Sequence, residues 1–229
     1  MRSVRLEEHK ISPVALTAAG LFLFFAAVYF SPIAIPHKIA FTVGSAAVMS
    51  LWLCPWQITL ALLFSAAGDY FGSCHNFIAQ MSFFGLAHVF YVCYFVKRWL
   101  AKVERDRKMT AKAKGLAFIL LIMIAALLTF IFLKIVPCAP EGIIRIGVSI
   151  YAVLISSMLY MALMQRSSLF ALGAVMFVFS DFILAWNKFV EPIEHSGLLI
   201  MIPYYAGQFL LFMRSTPYRV KPALRGFRF

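Results

Sequence analysis

Apolar runs of 17 to 22 residues recur along the whole chain, and no other feature restricts its folding as strongly. Eight can be counted, at about 13–30, 37–54, 56–73, 76–96, 115–136, 143–164, 169–190 and 197–213. Each is long enough to cross a hydrocarbon core of roughly 30 Å. In lipid, only helices and closed barrels satisfy every backbone polar group. These runs lack period-two alternation and are about twice as long as a barrel strand, so helices are expected. The breaks between them carry turn residues: Ser31-Pro32 and Pro36, Cys54-Pro55, Pro137 and Pro140, and Glu191-Pro192.

Composition agrees with that reading. The 229 residues are 63% hydrophobic with a mean hydropathy of +0.88, far above the usual share in a soluble protein. The expectation is an all-α, polytopic membrane protein forming a single membrane domain over residues 1–229. Residues 97–114 would form a basic cytoplasmic loop and 214–229 a basic C-terminal tail. The first apolar run follows Glu7 and Glu8 and lacks a clean small-x-small cleavage site, so it is expected to stay as the first helix. The four cysteines show no metal spacing, although Cys74 and Cys138 fall on one side of the membrane, where a disulfide could form.

A net charge of +12 would suit a nucleic-acid partner, but the distribution of the charge argues against one. Of 21 Lys and Arg residues, three precede residue 11, eight lie between Lys97 and Lys114, one is Arg166 and five follow residue 213. Eight crossings put all of these on the same side, and the positive-inside rule makes that side, with both termini, cytoplasmic. Lys38, Lys134, Arg145 and Lys188 are left near helix ends on the other side. The basic loop then rests on anionic headgroups rather than on nucleic acid. A bacterial inner membrane is the expected location.

Asp69 and Asp181 are the only acidic residues inside the apolar runs. A carboxylate at membrane depth costs several kcal/mol unless it is paired, hydrated or protonated. Helix rise puts Asp69 roughly 20 Å and Asp181 roughly 18 Å from the cytoplasmic ends of the third and seventh spans, which run in the same direction. Tyr205, about 12 Å below the outer surface on the eighth span, lies near that level, and Gln208 shares its face. His88 falls near mid-membrane on the fourth span. Each of these groups also has a plain structural reading, as a polar link between helices or a satisfied core side chain. Lys188, seven residues after Asp181, can snorkel to the interface or hold a phosphate. Gly68, Gly85 and Gly173 suit close helix approach.

The strings LLFSAAGDYFG, FFGLAHVFYVCYF, GAVMFVFSDFILAWNKF and YYAGQFLLF, in that order, resemble the YhhN-like family of lysoplasmalogenases. The matching motifs cover spans three, four, seven and eight. The family's lysine-proline near the start of the second span reads Lys38-Ile39 here, without the proline. The resemblance implies an integral-membrane hydrolase that cleaves the vinyl ether of a lysoplasmalogen to a fatty aldehyde and a glycerophospho-ethanolamine or -choline. Carried over onto matching positions, it implies Asp69 and Asp181 as the catalytic pair, with Lys38, Ser65, His88, Tyr91, Ser180, Asn187, Lys188, Tyr205 and Gln208 around the substrate. No metal and no cofactor are implied. The partners are the lysophospholipid substrate and membrane lipids.

The chemistry of that reaction suits two carboxyls. Enol ethers hydrolyse when an acid protonates the β-carbon, water captures the oxocarbenium ion, and the hemiacetal collapses. Two carboxyls side by side in a low dielectric tend to share one proton, which supplies an acid and a carboxylate together. Which aspartate donates is open, with Asp181 preferred because Lys188 shares its helix. Two other classes remain in view. A proton-coupled carrier would also use intramembrane carboxylates, and the third and seventh spans hold equivalent places in a four-plus-four repeat. A non-catalytic lipid-binding protein would hold a lysolipid unchanged.

Overall fold

The computed structural model describes residues 12–106 and 111–216, and all of its regular structure is helical. The helices are α1 (Pro13–Phe30), α2 (Lys38–Leu53), α3 (Trp56–Ser73), α4 (Phe77–Asp106), α5 (Ala111–Lys134), α6 (Ile143–Leu163), α7 (Ser168–Phe189) and α8 (Ser196–Ser215), with a 3-10 turn at Val136–Cys138 before α6. Six of them, all but α2 and α3, are long and apolar enough to cross a membrane. The protein is a multi-pass integral membrane protein. At 16 residues α2 is shorter, and α3 buries Gln57, Thr59, Ser65 and Asp69 among its apolar residues.

Several boundaries differ from those expected. The stretch 97–114 is not a loop throughout, because α4 continues to Asp106 and α5 begins at Ala111. Most of the residues that continue α4, KRWLAKVERD, are good helix formers, and none is Gly or Pro, so nothing stops the helix where the apolar run ends. Glu104 and Asp106 therefore ride on the last turns of α4. The rest of the expected connector, 107–110, and the tail from 217 onward lie outside the described residues. All four cysteines are free, so Cys74 and Cys138 are not bridged.

Short links join α1 to α2, α2 to α3, α3 to α4, α5 to α6, α6 to α7 and α7 to α8. His37, His75, Arg166 and His195 occupy left-handed backbone conformations at the turns before α2, α4, α7 and α8. One apolar cluster draws buried residues from all eight helices, including Phe22, Val43, Ile58, Tyr91, Ile124, Met158, Phe177 and Phe212. Packing pairs α1 with α2, α2 with α3, α3 with α4, α4 with α6, α6 with both α5 and α7, and α7 with α8. The ring closes where α8 meets α1 and α2. Leu121, Ile122, Met123 and Leu133 of α5 are exposed, the arrangement of a helix facing lipid tails.

Two contacts require glycine. A Cβ on Gly207 would stand 2.8 Å from the carbonyl oxygen of Gly173, so α7 and α8 touch backbone to backbone. On α3, a Cβ on Gly68 would meet the Phe84 ring at 2.8 Å, so α4 packs closely on α3 there.

Candidate active site

Asp69 follows Gly68 on α3, and only 2% of it is exposed. Tyr204 of α8 donates a 2.9 Å hydrogen bond to its Oδ2. Gln208 follows Tyr204 by one turn, and its Nε2 donates to the Tyr204 hydroxyl at 3.5 Å. Tyr91 of α4 donates to Gln208 Oε1 at 2.7 Å. The relay Tyr91–Gln208–Tyr204–Asp69 thus joins α4, α8 and α3, with every donor pointing towards the carboxylate. Charge-assisted acceptance of this kind is what makes a buried carboxylate tolerable.

Asp181 is held differently. Tyr151 of α6 donates a short hydrogen bond to its Oδ2. His88 Nε2 lies 3.0 Å from the Tyr151 hydroxyl and 3.7 Å from Asp181 Oδ2. Because Tyr151 gives its proton to Asp181, its oxygen accepts from His88, which puts a hydrogen on Nε2. His88 Nδ1 is buried and has no hydrogen-bond partner. The Asp181 side chain is 15% exposed, and with Tyr151 it faces two cavities. One, of about 430 Å³, runs between α5, α6 and α7. Leu127, Ile131, Ile155 and Phe179 contribute to its apolar wall, and among the described residues Asp181 and Tyr151 are the only polar ones lining it. The other, about 70 Å³, lies between α4, α6 and α7 and includes Phe77 and Gln80.

Phe177, one turn before Asp181, joins the two acidic clusters. Its ring is 4.9 Å from the imidazole of His88 and 5.4 Å from the ring of Tyr204. Aromatic packing therefore spans the gap between an aspartate enclosed by protein and one that faces open volume.

The remaining expected residues divide into two groups. Ser65, one turn before Asp69, and Ser180, next to Asp181, are buried, and both hydroxyls lack partners. Tyr205 donates to the Ile39 carbonyl at 2.9 Å. Lys38 binds the Ser31 and Ile33 carbonyls at 2.9 and 3.2 Å, where it caps the chain between α1 and α2. Asn187 accepts from the backbone of Ile193 at 2.8 Å. Lys188 lies 4.5 Å over the ring of Phe77, beside the smaller cavity. Among the described residues, no group of three or more His, Cys, Asp and Glu side chains could hold a metal ion.

Two tyrosines of the site were not expected. Tyr204, next to Tyr205, is the tyrosine bonded to Asp69, and the four-residue spacing to Gln208 puts Tyr204 and Gln208 on one helix face. Tyr151 stands in an otherwise apolar part of α6, and its hydroxyl at the depth of Asp181 was the available signal.

The fold and site together define a helical membrane protein that presents a carboxyl to a chain-sized apolar cavity. A model of the YhhN family matches residues 27–215, and the chain belongs to that family. It is 32% identical over 155 residues to Lysoplasmalogenase TMEM86B of Homo sapiens, covering 66% of this chain and 59% of that protein. The Sus scrofa protein of the same name is 30% identical over 167 residues, covering 71% and 65%. Lysoplasmalogenase TMEM86A of Homo sapiens is 30% identical over 176 residues, covering 71% and 66%. The chain thus matches about three fifths to two thirds of the length of these relatives. No solved structure matches it.

Proposed function

We propose that the protein is a lysoplasmalogenase, hydrolysing the vinyl ether of a lysoplasmalogen with Asp181 as the proton donor. The observation that carries this reading is the position of Asp181, which with Tyr151 forms a polar spot in the otherwise apolar wall that the described residues give the 430 Å³ cavity. An alkenyl chain lying there brings its first double bond to the carboxyl. The relatives named above as lysoplasmalogenases lend the reaction type.

In this mechanism the Asp181 carboxyl protonates the β-carbon, and the electron pair of the double bond forms the new C–H bond. The resulting oxocarbenium ion is drawn to the Asp181 carboxylate, with Asp69 as the second negative centre behind Phe177 and Tyr204. Water adds to the cation and returns a proton to Asp181. The hemiacetal then collapses to fatty aldehyde and glycerophospho-ethanolamine or -choline. The open hydroxyls of Ser65 and Ser180 and the unpartnered His88 Nδ1 suit a water or a substrate oxygen. Tyr151 and His88 fix the orientation of the acid. Lys188 lies beside the smaller cavity, on the side where a headgroup phosphate would sit.

We also infer eight crossings with both termini cytoplasmic. The distribution of Lys and Arg supports this, with α2 and α3 crossing inside a bundle that shields the polar residues of α3. The functional test is aldehyde release from lysoplasmalogen by the purified protein, against the saturated 1-alkyl analogue as control. Release from the vinyl ether alone is expected. Equal inertness of both substrates would sink the proposal.

A further inference from the structure

At the end of the bundle away from the two aspartates, a second cavity of about 540 Å³ is formed by the start of α3, the extended part of α4 and the end of α8. Gln57, Tyr94, Lys97, Arg98, Arg214 and Thr216 line it, and among the described residues no acidic side chain does. The Arg98 and Arg214 guanidinium groups each lie 5.4 Å from the centre of the Phe170 ring, so two like charges are gathered around one aromatic side chain. Among the described residues their hydrogen bonds go to neutral acceptors. Arg98 donates to Gln165 Oε1 and to the Tyr94 hydroxyl, both at 3.4 Å, and Arg214 donates to Ser167 Oγ at 3.2 Å. Among the described residues neither is paired with a carboxylate. A guanidinium carries five N–H donors, so most of this donor capacity is unused.

Gln57 supplies an independent observation. Only 4% of it is exposed, yet its amide makes no hydrogen bond to a described residue, and it lines the cavity. An amide with unused hydrogen-bonding groups in the cavity wall, beside two guanidinium groups that have no carboxylate partner among the described residues, suits an anion with several acceptor oxygens. Trp52 and Trp56, at 73% and 59% exposure, flank this end of the bundle, as tryptophans do at the headgroup level of a bilayer.

We propose that this cavity binds a negatively charged phosphate group, that of an anionic glycerophospholipid in the surrounding leaflet. The site is separate from the one that would cleave a lysoplasmalogen. Gln57 and Asp69 are twelve residues apart on α3, about 18 Å, and only a glycerol backbone separates a vinyl ether from its phosphate. Lys97, exposed at the rim, adds a third positive charge.

The test is thermal unfolding of the purified full chain in detergent, titrated with dihexanoyl phosphatidylglycerol, dihexanoyl phosphatidylcholine or inorganic phosphate. A saturable rise in Tm with the anionic lipid and none with the zwitterionic one is expected. The Arg98→Gln/Arg214→Gln double variant should need about ten-fold more anionic lipid, or above, for the same rise. Both arginines also pack on Phe170, so Lys97→Gln serves as the variant that leaves folding intact, and it should weaken the response several-fold. An equal response to inorganic phosphate would keep the phosphate site and assign it to the free anion. Equal responses to both lipids, or undiminished responses in the Lys97→Gln and double variants, would overturn the proposal. The readout does not involve hydrolysis, so it stands or falls separately from the lysoplasmalogenase reading.

Discussion

Tyr204 donates to Asp69 across 2.9 Å, and with that bond the α3 carboxylate is enclosed by protein, 2% exposed. Asp181, held by Tyr151, faces the cavities instead. Two aspartates that look alike in their local strings are therefore expected to behave differently when altered.

Replacement of Asp69 by Asn removes the charge that Tyr204 serves. A hydrogen bond to a charged group contributes about 1.5–3 kcal/mol, so the variant should unfold at a lower temperature than wild type. Its turnover should fall, but less than that of an Asp181 variant, because Asp69 acts on the reaction across Phe177 and Tyr204. Melting curves and aldehyde release measured on the same preparation check both parts.

Tyr151→Phe keeps the ring of α6 and removes the hydroxyl that links His88 to Asp181. A loss of about ten- to hundred-fold in kcat is expected, with KM nearly unchanged, since the hydroxyl orients the acid rather than gripping the lipid. Steady-state kinetics would expose a purely structural role as equal losses for every substrate together with a lowered Tm.

Protonation at carbon has an isotopic signature. Hydrolysis in D2O should place one deuterium on the carbon next to the aldehyde carbonyl, and the reaction should slow in that solvent. Mass spectrometry of the aldehyde reads the label directly. Its absence would rule out proton transfer from an exchangeable carboxyl to the β-carbon.

Ala152 lies in the wall of the 430 Å³ cavity beside Asp181 and is 4% exposed. Ala152→Phe should fill part of the space and raise KM for long-chain lysoplasmalogens more than for short-chain ones. A chain-length series would show this as a change in the slope of kcat/KM against length. An unchanged slope would remove the cavity from the path of the chain.

The contact between α7 and α8 makes a prediction about stability. Gly207→Ala would push a methyl group against the Gly173 carbonyl, and overpacking of this kind costs about 1–3 kcal/mol. Gly115→Ala on α5 meets no atom within 4 Å and should be neutral or slightly stabilising. Thermal unfolding of the two variants in one detergent compares them.

Much of the architecture was legible in the sequence, because lipid leaves the backbone so few options. The apolar runs and their proline breaks located all eight helices, and the shared strings around Asp69 and Asp181 singled out the two acids. The end of α4 was not legible from hydropathy. A helix can outlast its apolar stretch when Lys, Arg, Ala and Leu continue it, as they do from Lys97 to Asp106. Side-chain partners were the hardest to read, since they depend on helix rotation. Tyr204 and Tyr205 are adjacent in sequence, yet one turns to Asp69 and the other to the Ile39 carbonyl. Tyr151 reaches Asp181 only because α6 packs beside α7, which no local motif encodes.

The most direct measurement is aldehyde release from lysoplasmalogen by purified wild-type protein and by the Asp181→Asn variant, with folding confirmed by matched melting curves. Wild type is expected to turn over, and the variant to lose about 10²–10⁴-fold in kcat with the lipid still bound. A folded Asp181→Asn protein that released aldehyde at near-normal rate would contradict the assignment of Asp181 as the acid.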